Sequence, residues 1–156
     1  MAAMSDFLEN KFLDFFFRGQ ALGVTGATAA AGTGPTALFF ALLTATPSDA
    51  GGGTEVTGGS YTRISVTSSL VNWAGTQAAA STVASSGTNG TTSNNATIAF
   101  PAPTANWGSI VAFGIYDALT VGNLLFWGLL TTPKTVNSGD AAPTFAAAAF
   151  SLQIDN

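Results

Sequence analysis

Apolar positions recur with a helical period in one stretch of the chain. Across residues 5–18, Phe7, Leu8, Phe12, Phe15 and Phe16 share a broad stripe at the spacing of an α-helix. Ser5 stands at the N-cap position, Asp6 and Glu9 fall in the first turns, and Arg18 closes the last. Gly19 follows where a left-handed cap residue is favoured. The pattern predicts an amphipathic helix. Leu13 and Phe17 fall outside the stripe and widen the apolar surface, which predicts burial on two sides. Either the helix packs on its own domain, or it packs against neighbouring subunits or a larger particle, with Phe7, Leu8, Phe12, Phe15 and Phe16 as the candidate interface.

Beyond residue 35 the period shortens to two. Residues 36–44 form a nearly continuous apolar run, as for a strand covered on both faces. Residues 60–67 alternate, with Tyr61, Arg63 and Ser65 on one face and Thr62, Ile64 and Val66 on the other. Further strands are expected at 95–100, 110–116, 124–130 and 145–154, the 110–116 and 124–130 pair joined by a reversal at Gly122-Asn123. Residues 133–140 read as a turn region. No helical pattern recurs between the strands, so a parallel α/β fold is disfavoured. The expected class is mainly β: a β-sandwich or jelly-roll-like domain with one N-terminal amphipathic helix and extended arms. The expected divisions are a helix at 1–19, an Ala/Gly/Thr-rich arm at 20–35, and a β domain at 36–156. Residues 74–93, almost all small and polar, read as a long exposed loop or arm within that domain.

Composition sharpens this picture. Only 8% of the 156 residues are charged, against about 25% in an ordinary soluble domain. Ala, Thr, Gly and Ser supply over half of the chain. With so few charges, either small polar residues make the surface or much of it is covered by partners, and assembly is the best-supported reading. The chain has no His and no Cys, which excludes a thiol nucleophile, an imidazole base and a Cys/His zinc site. A net charge of −4 disfavours nucleic acid as a partner. No apolar stretch approaches the roughly 20 residues of a spanning helix, so no membrane association is expected.

Candidate chemistry is thin. The Gly32–Ala37 stretch formally matches a dinucleotide loop, but a low-complexity arm precedes it and a strand-like run follows, so no cofactor is expected. Asp49, Glu55 and Asp117 could serve a hydrolase only if brought together, whereas turn carboxylates ordinarily bond nearby amides. No catalytic or metal-ligating residue is therefore assigned. Trp73, Trp107 and Trp127, with Tyr61 and Tyr116, could form a glycan- or receptor-stacking platform if exposed together; the alternative is burial as core anchors.

Several blocks carry a resemblance. SDFLENKFLDFFFRG (5–19), PSDAGGGTEVT (47–57), IAFPAPTANW (98–107), FGIYD (113–117) and NLLFWGLLTTPKTVNSGD (123–140) resemble a family of small tailed-phage proteins labelled phage tail fibre protein. The resemblance fails in 20–35 and 74–93. It implies a non-enzymatic virion component on the capsid surface or tail, either capsid decoration (cement) or a short tail fibre. The expected partners are itself, as a homotrimer, and virion proteins such as the major capsid protein or tail and baseplate proteins. No shaft or repeat region is visible, which favours decoration over fibre.

Overall fold

The computed structural model describes residues 4–23 and 34–154. Most of the 20–35 arm, including Gly32 of the formal dinucleotide motif, lies outside the described residues. Among the described residues the chain is mainly β with a single N-terminal helix, α1 (Asp6–Arg18), as the patterning predicts. Among the described residues no helix is long and apolar enough to cross a membrane. The chain forms two compact units interleaved in sequence. The first comprises the described residues of Met1–Ala37, Thr67–Ile98 and Phe145–Asn156, and the second Leu38–Val66 with Ala99–Thr144.

The second unit is built on an antiparallel sheet. Its centre is β1 (Ala37–Ala45), in which Leu38, Phe40, Ala41, Leu42 and Leu43 are all buried, as expected of a strand covered on both faces. Two short strands, β2 (Thr54–Glu55) and β3 (Ile64–Thr67), pair with β1. On its other side lies β6 (Gly108–Tyr116), in register from Phe39↔Tyr116 to Leu43↔Ala112. The sheet then ends at β7 (Leu124–Val136), which pairs with β6 through Ile115↔Phe126, Gly114↔Trp127, Phe113↔Gly128 and Ala112↔Leu129. A Cβ on Gly128 would sit 2.7 Å from the Phe113 ring, so the ring packs directly over the glycine and would have to shift for any larger residue. β7 corrects the expectation of a turn at 133–140, because the strand runs on to Val136. The register jumps from Ala112↔Leu129 to Ile110↔Lys134. Pro133 falls inside this bulge, where no ladder N–H is required of it.

The first unit holds α1, β4 (Thr91–Ser93) and β9 (Ser151–Gln153), the two strands pairing antiparallel through Thr92↔Leu152. Two short strands where the chain changes unit, β5 (Ile98–Ala99) and β8 (Thr144–Phe145), form a further ladder. The strand expected at 145–154 is thus two strands with a turn between them. Asn94 causes the break: its backbone and side-chain oxygens accept from Ala148 and Phe150, and its amide donates to Ala146 O. Ala148 consequently takes a φ of 60°.

Candidate functional site

The helix has two faces, and the assignment of sides is not the one periodicity suggests. Glu9, Leu13, Asp14, Phe17 and Arg18 are the buried residues of α1. Phe17 packs edge-on against Trp73 at 4.9 Å, and Trp73 in turn meets Phe150 at 5.8 Å. Beside this apolar contact lies a buried polar cluster. Arg18 pairs with Asp14 at 2.7 Å, and the two side chains are 0% and 5% exposed. The guanidinium also donates to the carbonyls of Trp73, Ser81 and Val83, and the Asp14 carboxylate accepts the Ser85 N–H. Asn10 donates to Gly87 O and accepts from the Thr76 hydroxyl. Residues 74–93, expected as an exposed arm, therefore wrap the polar side of the helix. The physical reason is that a loop of small residues exposes many backbone groups, and a buried charge needs such partners.

The predicted stripe lies on the other side. Phe7 is 57% and Leu8 38% exposed, and Phe12, Phe15 and Phe16 are half-buried. Phe12, Phe15 and Phe16 form a ring cluster, with centroids 4.7 and 5.4 Å apart, and Lys11 lies over the Phe7 ring. Backbone caps hold the helix ends. Ser5 O accepts from Leu8 and Glu9, and Gly19, at φ 66°, lets Gln20 N return to Asp14 O. A substituent on Gly19 would strike Ser68 O at 2.7 Å.

The three tryptophans do not form a platform. Trp73 is 0% and Trp107 5% exposed, which corrects the expectation of receptor contact for both. Trp107 donates its indole N–H to Gly59 O and packs edge-on against Tyr61 at 5.4 Å. Only Trp127, on β7, reaches solvent, at 36%.

The second unit contains a polar cluster that no motif announced. Arg63 holds Glu55 with two bonds, at 2.9 and 2.7 Å, and donates to the carbonyls of Ala118 and Val121. Its guanidinium lies 3.6 Å from the centre of the Tyr116 ring. The hydrogen bonds to Glu55 raise the Arg63 pKa further, and burial raises that of Tyr116. Tyr61 donates to Glu55 and accepts the Leu42 N–H at 3.0 Å, and burial pushes its phenol well above the ordinary range. Asp117 closes the adjoining reversal by accepting from the side chain and backbone of Asn123, which holds its carboxyl below the usual range. A surface cleft of about 490 Å³ beside Arg63 is lined by Asp49, Tyr116 and Asn123. Four of the five Arg63 N–H groups are already committed, so the cluster clamps a loop and offers no anion site. Tyr61→Phe would leave the buried Leu42 amide without its acceptor. The expected loss is about 1–3 kcal/mol, read from the shift of the denaturant midpoint.

Glu55 is thus engaged by Arg63 and Asp117 by Asn123, and nothing gathers the carboxylates as a hydrolase would require. Among the described residues no group of three or more Asp, Glu, His or Cys side chains is placed to hold a metal ion.

Two helix faces, one buried and polar and the other left apolar, describe a chain organised around contacts. The family described as podophage GP4 fiber I protein gp80 matches residues 3–153. The chain belongs to that family. It is a structural protein of a phage virion, as the resemblance implied. No curated protein matches it.

The polar clusters escaped sequence reading because their members are scattered, Arg18 meeting residues 55 to 67 positions away. One signal was present: Tyr61 and Arg63 share a face two residues apart, among very few charges.

Proposed function

We propose that the protein is a non-enzymatic tail-fibre component rather than a capsid decoration, and that it acts as a homo-oligomer. The fibre description of its family supports the first choice over the second. The observation that carries the reading is the outward helix face: Phe7 and Leu8 are exposed and Phe12, Phe15 and Phe16 half-buried, while Glu9, Asp14 and Arg18 are buried. In this reading that face seats the chain on a different virion protein.

Copy number tests the location. Quantitative mass spectrometry of purified particles should give a ratio to the major capsid protein in the range of tail proteins. A ratio approaching one would overturn the fibre reading in favour of decoration. Phe7→Glu tests the helix face. Because Phe7 is mostly exposed, the variant should fold with stability within about 0.5 kcal/mol of the parent. It should nevertheless fail to enter particles, and normal incorporation would remove the face from the attachment.

A further inference from the structure

We infer that β7 pairs edge to edge, antiparallel, with the β7 of a second copy of this chain, about a two-fold axis at Trp127. β7 ends its sheet, and of its thirteen residues only Val136 is buried. Soluble proteins usually blunt such edges with charge, proline, bulges or brevity. Here residues 124–130 carry neither charge nor proline, and the ladder with β6 runs unbroken over Phe126–Leu129, between one bulge at Leu125 and another after Leu129. Cross-strand partners share a face, so the pairings Gly114↔Trp127 and Ala112↔Leu129 put Trp127 and Leu129 on the same side. Trp127 is 36% and Leu129 61% exposed.

The sequence of the edge names its occupant. Residues 124–130 read Leu-Leu-Phe-Trp-Gly-Leu-Leu, nearly a palindrome about Trp127. An antiparallel pair centred there sets Trp127 opposite Trp127, with leucines of both copies flanking it at either end. The one departure from symmetry is complementary, because it sets Phe126 opposite Gly128, repeating the ring-on-glycine match that Phe113 and Gly128 make within the sheet. An isologous contact requires that kind of self-complementarity. The two bulges bound the regular segment on either side. The edge joins chains two at a time, so the trimer expected from the sequence is compatible with it only as six chains. The inference stands apart from the fibre reading, since neither copy number nor the helix face enters it.

The chain has no cysteine, which permits a positional test on the full-length protein. Directly opposed strand residues have Cα atoms about 4.5–5.5 Å apart, within disulfide range. Trp127→Cys should therefore cross-link to its own copy on mild oxidation. Leu129→Cys should not, its two copies lying about 13 Å apart along the strands. Linking of Leu129→Cys as readily as Trp127→Cys, or no linking of Trp127→Cys, would overturn the pairing. Light scattering adds an independent reading: the parent should have an even multiple of 15.6 kDa, and Leu129→Lys half of the parent mass. A monomeric or trimeric parent would also sink the inference, and the cysteine variants decide it should Leu129→Lys fail to fold.

Discussion

Arg18→Ala is expected to destabilise the protein by about 3–5 kcal/mol, the cost typical of removing one partner from a buried ion pair. The substitution strands the Asp14 carboxylate, 5% exposed, with only Ser85 to bond it. It also takes a donor from the carbonyls of Trp73, Ser81 and Val83. Guanidinium denaturation followed by circular dichroism would measure the loss. The double variant Arg18→Met with Asp14→Leu separates the two contributions. It removes both charges, so it should recover part of the loss, but the carbonyls and the Ser85 amide stay unpaired. Full recovery would mean that the loop carbonyls are readily satisfied by water, and that the arginine matters only as a counter-charge.

Trp73→Ala should cost a similar amount, about 3–5 kcal/mol, for a different reason: it empties a fully buried site between Phe17 and Phe150. The comparison with Trp73→Phe isolates volume from ring character, and the phenylalanine variant should lose less. The same burial predicts how the tryptophans respond to a neutral fluorescence quencher. Trp127 should be accessible, and Trp73 and Trp107 shielded. A small effect of Trp73→Ala on the denaturation midpoint would show that this core collapses around the gap.

These effects separate what local pattern reveals from what it hides. The existence and ends of α1 were legible because periodicity, acidic first turns and Gly19 all act within a few residues. Its packing face was not. Periodicity assumes that apolar side chains turn inward, yet α1 buries Glu9, Asp14 and Arg18 and leaves Phe7 outside. The charges can go inside because residues 74–93 supply backbone and hydroxyl partners, and composition gives no hint of which charge a loop will meet. The central strands were legible for the opposite reason. A run such as residues 37–45 has no alternative to a doubly covered strand, and the reversal at Gly122-Asn123 announces the β6–β7 hairpin. β4, three residues of Thr and Ser, has no apolar period and is defined by its pairing with β9. Of the candidate site, which residues share the helix stripe was readable, and their role as an interface is the proposal made above. The Arg63 clamp was not, since it joins positions 55, 63, 118 and 121 only after folding.

The chain passes between its two units four times, after residues 37, 66, 98 and 144. Neither unit therefore corresponds to a continuous stretch of coding sequence. A crossover placed anywhere between residues 38 and 144 would give a hybrid drawing part of at least one unit from each parent, so no single recombination event between those positions exchanges either unit intact.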